Sequence, residues 1–250
     1  MPGLLGEFSR KYPQIKIELI EGTTSQLTDK LMGEELDLII DNSELDDKNY
    51  EKYYYYTERI ILAVPREFEI NRELMEYQLS AADIAAKRHS DDAFPALPLP
   101  LLKNTPFIFV KEENSIYKRG VKMCSRQNYT PNIILKPDQV VSAFNMAGKG
   151  IGATFIPDGL VASLSYEVPL CYYKMDESLS VRQVYFYKKR NKYLTKTMEE
   201  FIRVAVGDEG FQKVREAREK ENQEKKSQEK INQEKKNQEK RNGTKNAGGI

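Results

Sequence analysis

The sequence predicts an α/β protein, and three observations point to this class. Strand and helix patterns alternate along most of the chain, which is typical of folds whose helices pack on a mostly parallel β-sheet. A glycine-rich corner over residues 148–152 follows a helical pattern and leads into a short apolar run. That run ends at Pro157 and fits a strand buried on both faces, as in a parallel sheet.

The first half of the chain contains one clear helix and several predicted strands. Leu27, Leu31 and Met32 fall on one stripe of a helix over residues 25–32. Residues 53–64 begin with a run of tyrosines, become apolar, and are interpreted as a pair of strands. The tyrosines are expected to alternate between the two faces and to pack in the core. The predicted strands are residues 16–20, residues 36–40 and this segment.

The second half alternates more regularly. Ser80 is a typical N-cap residue and predicts a short helix over residues 80–85. Prolines between residues 95 and 100 exclude regular structure up to residue 102. Gly148 is predicted to end a helix in the left-handed conformation, which is least unfavourable for glycine. The remaining predictions are strands at 106–110, 132–135, 151–156, 168–173 and 181–188, and helices at 115–127, 138–147, 159–164 and 195–206.

The composition indicates a globular body with a polar appendage, since 40% of the residues are hydrophobic and 31% are charged. No apolar run approaches the roughly 18 residues of a membrane-spanning helix, and the N-terminus has no signal-peptide pattern. Cys124 and Cys171 are too few for a disulfide framework. We therefore expect a cytoplasmic protein with reduced thiols and no membrane partner.

The C-terminal segment 208–250 is predicted to be a charged tail. From Phe211 onward it has 12 Lys and Arg residues against 7 Asp and Glu, a net charge of +5, which leaves the rest of the chain at −4. Gln-Glu-Lys recurs there with a period of five, which gives a helix no apolar stripe. Such a segment buries too little surface to fold alone, so we expect disorder or a solvated helix. The acidic body argues against a nucleic-acid groove.

Two predicted strand-to-helix turns share small polar residues, and the second adds a lysine: Thr23, Thr24 and Ser25, then Lys111, Asn114 and Ser115. Free amides and hydroxyls at a helix N-terminus can bind an anion or a carboxylate. Plain helix capping explains the same residues, and from the residues alone it is favoured at the first turn. Lys111 can pair with an anion, whereas Glu112 and Glu113 would repel one if they faced inward.

The glycine corner does not predict a nucleotide site. A phosphate-binding loop follows a strand and opens a helix, whereas these glycines follow a helix and open a strand. Thr154 and Phe155 belong to that strand. They can offer a backbone donor and an apolar wall to a ligand, or they can simply pack in the core.

Catalysis finds little support in the sequence. His89 is the only histidine and lies in a polar, irregular stretch, so we expect it at the surface. One histidine without a placed partner makes no nucleophilic triad. No cysteine or carboxylate spacing fits a zinc or calcium site. The sequence therefore predicts a protein that is not an enzyme and has neither a metal nor a cofactor.

Six segments match one known family in their order and spacing: Pro2 to Pro13, Ile15 to Leu27, Leu31 to Ile40, Pro106 to Val110, Met146 to Pro157 and Ser178 to Ala205. Together they resemble the effector-binding domain of LysR-type transcriptional regulators over about residues 1–207. The resemblance implies two Rossmann-like lobes, like a type 2 periplasmic binding protein, that close on a small ligand. Lobe I would comprise residues 1–64 and 158–207, and lobe II would comprise residues 65–157.

The resemblance also gives the polar turns a function, because the family's ligand contacts commonly lie at such turns. Thr23 and Thr24 match the family best. Together with the residues at the second turn and in the strand after the glycine corner, the predicted ligand-binding residues are Thr23, Thr24, Ser25, Lys111, Asn114, Ser115, Thr154 and Phe155. Two helix N-termini that face each other across a cleft suit a small carboxylate. The expected function is therefore the sensing of a small effector, which we expect to be anionic.

The chain departs from the family at its start. The winged helix-turn-helix, the linker helix and the first strand of the effector domain have no counterpart, so the chain is interpreted as a truncated regulator that cannot bind DNA alone. The missing strand would lie between residues 16–21 and 36–40, and its loss should leave a gap or force these two to pair. We expect a homo-oligomer or association with intact regulator subunits. The alternative is a solute-binding protein of an uptake system, which shares the architecture.

Overall fold

A computed structural model describes residues 1–164, 166–216 and 219, and it confirms the predicted α/β class. The helices are α1 (Pro2–Lys11), α2 (Thr24–Met32), α3 (Ile70–Glu73), α4 (Ala81–Ala85), α5 (Ser115–Arg126), α6 (Val140–Ala147), α7 (Asp158–Ala162), α8 (Glu177–Ser180) and α9 (residues 196–216). The strands are β1 (Ile39–Asp41), β2 (Tyr50–Pro65), β3 (Gln78–Leu79), β4 (Pro106–Ile108), β5 (Asn132–Leu135), β6 (Thr154–Pro157), β7 (Leu170–Lys174) and β8 (Val181–Lys189). Short 3-10 helices lie at Met75–Tyr77, Arg88–Ser90 and Leu99–Leu102.

The described residues form two compact units. Unit 1 comprises residues 1–56 and the chain from Val184 onward, and unit 2 comprises residues 57–183. The predicted lobes divided the chain at residues 64/65 and 157/158 instead. The difference has a physical reason, because the last part of β2 pairs with both β6 and β7. These pairs hold residues from both sides of the predicted boundaries in one unit.

Unit 1 is built on a sheet in which β8 lies between β1 and β2. β1 and β8 are antiparallel, with Ile39 opposite Tyr187. One face is covered by α2, whose Leu31 is buried against these two side chains. Helices α1 and α9 contribute to a second cluster that includes the neighbouring strand residue Phe186. Because successive side chains of a strand point to opposite faces, the sheet is covered on both sides.

Residues 16–20 do not form the predicted strand, and Leu19 is 57% exposed. A strand requires a neighbour that completes its backbone hydrogen bonds. In the described part of the chain, no backbone hydrogen bond begins or ends between residues 16 and 22. β1 is shorter than predicted and finds its partner in β8. Residues 16–20 and β1 therefore do not pair directly, which was one of the two expected results of the missing strand. The structure fits the other expected result, a gap between these two segments.

β2 is one continuous strand of 16 residues, not the predicted pair of strands. Its tyrosines alternate as predicted. Tyr53 is buried and Tyr55 is half-buried, whereas Tyr54 and Tyr56 are exposed. The expected core packing therefore holds for one face of the strand and not for the other.

Unit 2 combines an antiparallel part and a parallel part. β2 pairs antiparallel with β6 and with β7, and β7 pairs antiparallel with β3. β4 and β5 are parallel, and an isolated parallel bridge joins Phe107 to Ala153. The prediction of a mostly parallel sheet is therefore wrong for most of the described strand pairs. An apolar run shows that a strand is buried, but it does not show which direction the neighbouring strands take.

The glycine corner keeps its predicted place but not its predicted geometry. α6 ends directly before Gly148, which stays right-handed with a φ of −61°. The left-handed residue is Gly150, with a φ of +79°. Gly148 is needed for a different reason, because an added Cβ would lie 2.6 Å from Cγ1 of Val168. Ile151 is 38% exposed, and the buried strand begins only at Thr154.

The predicted helix starts of α4 and α5 are confirmed. Ser80 caps α4 through a reciprocal pair of hydrogen bonds with Asp83.

Gly120 lies inside α5 and permits a close approach to the aromatic core of unit 2. An added Cβ would lie 2.9 Å from Cδ2 of Phe155 and 3.0 Å from Cε1 of Phe109. This glycine therefore sets how closely α5 packs beside β6.

α9 continues beyond the predicted helix end at residue 206 and reaches residue 216. Phe211 and Val214 are buried in the core of unit 1. The predicted boundary of the tail at residue 207/208 is therefore too early, because these two apolar side chains hold the helix against the sheet. Apart from residue 219, the rest of the predicted tail lies outside the described residues.

Candidate functional site

The first polar turn, at the start of α2, is engaged mainly in capping. Thr23 Oγ1 accepts a hydrogen bond from Gln26 N at 3.3 Å, and Gln26 Oε1 accepts one from Thr23 N at 2.9 Å. Thr24 Oγ1 donates to Asp41 Oδ2 at 2.7 Å, and Ser25 is exposed. Asp41 thus places a carboxylate beside Thr24. A negative charge at this distance disfavours an anionic ligand at this turn of unit 1.

The second polar turn, at the start of α5 in unit 2, has its charges paired locally. Asn114 caps the helix by accepting a backbone hydrogen bond at 2.9 Å. Lys111 forms an ion pair with Asp138, which raises the pKa of its ammonium group. Glu112 Oε1 lies 2.7 Å from Lys136 Nζ. The pair with Lys136 offsets the repulsion that Glu112 was expected to cause. The pair with Asp138 makes Lys111 less available to an anionic ligand.

Ser115, the first residue of α5, is reached by a buried arginine. Arg182 Nη1 donates to Ser115 Oγ at 2.9 Å, and Arg182 Nε is paired with a carboxylate oxygen of Glu58. The side chains of Arg182 and Glu58 are only 7% and 10% exposed. The sequence reasoning missed both residues. Their signal was visible, because a charged residue within an apolar strand pattern needs a buried partner.

A shallow surface indentation, called here the pocket, lies beside the N-terminus of α5; its empty space of about 150 Å³ includes open solvent, and it encloses no room for a water molecule. Its lining is mostly apolar and aromatic: Ile108, Phe109, Val110, Ile116, Tyr117, Thr154 and Phe155. Thr154 is 1% exposed, and its Oγ1 has no hydrogen-bond partner among the described residues. A buried polar group without a partner costs about 1–3 kcal/mol. The Thr154 hydroxyl therefore makes an unfavourable contribution to the stability of unit 2.

Phe155 has the core-packing role, one of the two roles that the sequence left open. It is 2% exposed, and its ring centroid lies 6.0 Å from that of Phe107 and 5.5 Å from that of Phe109. These aromatic contacts make it a core residue. It also lines the pocket, and its contact with a ligand stays a prediction.

The eight predicted ligand-binding residues thus fall into three groups. Asn114, Ser115, Thr154 and Phe155 lie at or beside the pocket of unit 2. Lys111 is at the same turn but is held by Asp138. Thr23, Thr24 and Ser25 belong to unit 1, where the first of them caps α2. All eight remain predictions as ligand contacts, and the first group has the strongest geometric support.

His89 is not at the surface, so that expectation is wrong. It is 1% exposed, and its Nε2 lies 2.9 Å from Asp158 Oδ2. Burial would raise the pKa of Asp158, but hydrogen bonds from His89 and from the backbone of Arg59 lower it below its ordinary value. Asp158 directly follows β6, and chain folding brings it to a histidine 69 residues earlier. Local sequence carries no signal for this pairing.

Within the described ranges, the two cysteines are buried and separate from the pocket. Cys124 and Cys171 are both free thiols, and burial raises the pKa of the Cys124 thiol to about 12, so it stays protonated. Among the described residues, no group of His, Cys, Asp and Glu side chains could hold a metal ion. No helix in the described ranges is long and apolar enough to cross a membrane.

Unit 2 is thus an α/β unit with a shallow apolar indentation that has a few polar groups at its edge. A family model described as the LysR substrate binding domain matches residues 1–89 and 72–208. The chain belongs to this family, the effector-binding domains of LysR-type transcriptional regulators. The predicted family and its periplasmic-binding-protein-like fold are confirmed.

Solved structures and curated relatives agree with this assignment. The regulatory domain of CcmR from Synechocystis PCC6803, in complex with 2-PG, has a TM-score of 0.64 and 17% identity, and the match covers 82% of this chain and 88% of that one. The BenM effector binding domain with its effector benzoate has a TM-score of 0.60 and 18% identity, with coverages of 84% and 87%. The QuiR effector binding domain in complex with shikimate has a TM-score of 0.58 and 15% identity, with coverages of 82% and 87%.

The sequence relatives are transcriptional regulators. The uncharacterized HTH-type transcriptional regulator YcgK of Bacillus subtilis (strain 168) is 24% identical over 204 residues, which is 82% of this chain and 61% of the relative. The HTH-type transcriptional regulator AlsR of the same organism is 23% identical over 194 residues, 76% of this chain and 57% of the relative. The chain thus spans about three fifths of the length of these relatives. They favour a regulator over the alternative of a solute-binding protein for uptake.

Proposed function

We propose that the pocket of unit 2 binds a small anionic effector, and that a cytoplasmic LysR-type regulator with this domain uses the binding to control transcription. The observation that carries the proposal is the Thr154 hydroxyl, which is buried at the pocket and has no hydrogen-bond partner within the described part of the chain. A ligand acceptor or donor that bonds it would remove an unfavourable contribution already present in the empty domain. Effector binding and stability are therefore coupled through this side chain.

Two features support an anion as the ligand. The pocket lies at the N-terminus of α5, a helix of 12 residues, where the helix dipole favours negative charge. Related domains are known as complexes with 2-PG, shikimate and benzoate, and the last two ligands are carboxylates. By contrast, the start of α2 already holds a carboxylate beside Thr24. Anion binding is thus assigned to the pocket in unit 2.

The residues that line the pocket support ligand binding but not catalysis. Its polar side chains are the hydroxyls of Thr154 and Tyr117, and the other lining residues are apolar. Such groups can hold and orient a ligand, but they offer no nucleophile with an adjacent base. We therefore propose a sensor and not an enzyme. We also propose that two lobes close on the ligand, and that the chain forms homo-oligomers or associates with intact regulator subunits. Sedimentation of the full chain with and without ligand tests both proposals.

Thermal melting with a ligand panel tests the function. The panel contains small carboxylates, aromatic acids, amino acids and phosphorylated acids. A ligand present at about 100 times its dissociation constant should add about 2.7 kcal/mol of stability. A panel that leaves the melting temperature unchanged throughout contradicts the proposal.

Thr154→Val provides the residue-level prediction. Valine keeps the shape of threonine and removes the hydroxyl that has no partner, so the empty domain should become about 1 kcal/mol more stable. The same change should weaken the identified ligand about tenfold, which corresponds to about 1.4 kcal/mol. Chemical denaturation and isothermal titration measure the two effects.

Thr130→Val is the matched control, because Thr130 is an exposed threonine of the same unit. Its replacement should change neither stability nor affinity by more than about 0.5 kcal/mol. A Thr154→Val variant that binds every ligand as the unchanged protein does would remove Thr154 from the site.

A further inference from the structure

A short segment of unit 2 binds helix α5 and runs into a strand that both units share. Residues 178–182, called here the junction segment, lead into β8, and this strand passes from unit 2 into unit 1 after residue 183. β2 also belongs to both units and crosses from one to the other between residues 56 and 57. A movement of the junction segment therefore acts directly on a strand that unit 1 contains.

One side of α5 is fastened to the junction segment. Hydrogen bonds of 2.7–2.9 Å join the two: Arg119 Nη1 to the carbonyl oxygen of Leu179, Arg126 Nη1 to Ser178 Oγ, and Arg182 Nη1 to Ser115 Oγ. Ser115, Arg119 and Arg126 lie within about 40° of one another around the helix axis, because an α-helix turns by about 100° per residue. The junction segment therefore runs antiparallel along a single stripe of α5.

The inner part of this attachment is buried and includes the second shared strand. Ile116 and Met123 of α5 belong to the same buried core cluster as Leu179. The side chain of Arg182 is 7% exposed, and its Nε is paired with Glu58 of β2, whose side chain is 10% exposed. One buried guanidinium thus binds α5, β8 and β2. Such a contact is difficult to break, since a buried charge without its partner keeps its desolvation penalty.

Helix capping does not account for these contacts. Asn114 already caps α5 by accepting a hydrogen bond from Ile116 N at 2.9 Å, so neither Arg119 nor Arg182 is needed to begin the helix. Apolar side chains can fill a core, and a buried ion pair is often no more stabilising than they are. The arginines add direction, because each donor binds one particular acceptor. α5 cannot slide along the junction segment without breaking these bonds.

We propose that α5 and the junction segment move as one body, and that Arg119 and Arg182 pass a displacement of α5 to the two strands shared with unit 1. Linked hydrogen bonds and packed side chains are a physical route for such coupling. Both arginines act as positioning residues, and neither has to touch a ligand. The pocket lies beside the N-terminus of α5. The trigger, an effector bound there, rests on the proposed function, whereas the coupling itself does not.

Hydrogen exchange of the full chain, followed by mass spectrometry, tests the coupling without a ligand. Lys122→Gly weakens α5 from an exposed position, because glycine is unfavourable inside a helix. Amide exchange should become about threefold faster in α5 and also in residues 184–189 of β8, because linked elements open together. Lys122→Ala is the matched control. It removes the same charge but favours the helix, so it should speed exchange in neither element.

A second set of variants asks whether the polar attachments carry the effect. Arg119→Gln/Ser115→Ala removes the bond to the junction segment and the acceptor of Arg182. In this background, Lys122→Gly should still speed exchange in α5 about threefold, while exchange in residues 184–189 stays unchanged. Each single substitution keeps one attachment and should give an intermediate response. The single variants keep the test decisive if the double variant does not fold.

Three results would overturn the coupling. The first is that Lys122→Gly leaves exchange in residues 184–189 of the otherwise unchanged chain as it was. The second is that the same acceleration persists in these residues when both attachments are removed. The third is an equal acceleration in α2, which also belongs to unit 1 and would report a general loss of stability.

A ligand found by thermal melting adds a separate comparison. It should slow exchange in α5 and in residues 184–189 together, and the response of residues 184–189 should be smaller in Arg119→Gln. A ligand that protects α5 alone leaves the proposed function standing and overturns the coupling. If no ligand binds, the proposed function fails, and the experiment without ligand alone decides the coupling.

Discussion

Glu58→Gln should lower the free energy of unfolding by about 3–5 kcal/mol. Glutamine keeps the size of the side chain but removes the charge that balances Arg182, whose side chain is 7% exposed. A buried guanidinium without its counter-charge keeps its desolvation penalty and loses most of its compensation. Chemical denaturation of the full chain, followed by fluorescence and by circular dichroism, measures the change.

The control for this prediction is Glu167→Gln. Glu167 pairs with Arg66 at 2.6 Å, but these two side chains are 71% and 53% exposed. An exposed pair of this kind contributes about 0–1 kcal/mol. Equal and small effects of the two substitutions would mean that the Glu58–Arg182 pair is open to water in solution.

Phe107→Ala should destabilise the protein by a similar amount, about 3–5 kcal/mol. Phe107 is fully buried at the centre of an aromatic group in unit 2, with ring centroids 5.9 Å from Phe109, 6.1 Å from Tyr129 and 6.0 Å from Phe155. Removing the ring leaves a cavity that its rigid neighbours cannot fill. Because Phe155 lines the pocket, ligand affinity should fall together with stability.

Met75→Ala is the corresponding control in the same unit. Met75 is 73% exposed, so its truncation should change the free energy of unfolding by less than about 0.5 kcal/mol. If Phe107→Ala lost no more than this control, the aromatic group would not be the core that holds the pocket wall.

Local signals in the sequence predicted the helix starts well and the strand pairing poorly. Ser80 and Asn114 cap α4 and α5 as expected, because capping involves residues only two or three positions apart. The antiparallel direction of β6 against β2 depends on partners about 100 residues away in the chain. No local pattern contains that information.

In the candidate site, too, residues with a local signal were predicted and residues with a distant partner were missed. Thr154, Phe155 and Ser115 were found because they stand next to a helix start or in an apolar strand. Arg182 was missed, since its role depends on Glu58, which lies 124 residues earlier. The family resemblance supplied the overall arrangement, but only the packed structure could pair these charges. Buried charges in strand patterns are therefore the signal to weigh more heavily in such sequences.

Residues 16–22, which have no backbone hydrogen bonds among the described residues, have a consequence for solution behaviour. Their amide protons should exchange with deuterated solvent within seconds, while those of β1 and β8 stay protected until unit 1 opens. Ile17, Leu19 and Ile20 meanwhile keep a β-forming pattern within reach of solvent. An unpaired stretch of this kind readily adds to the open edge of another strand, so it is the part of unit 1 from which self-association at high concentration should begin.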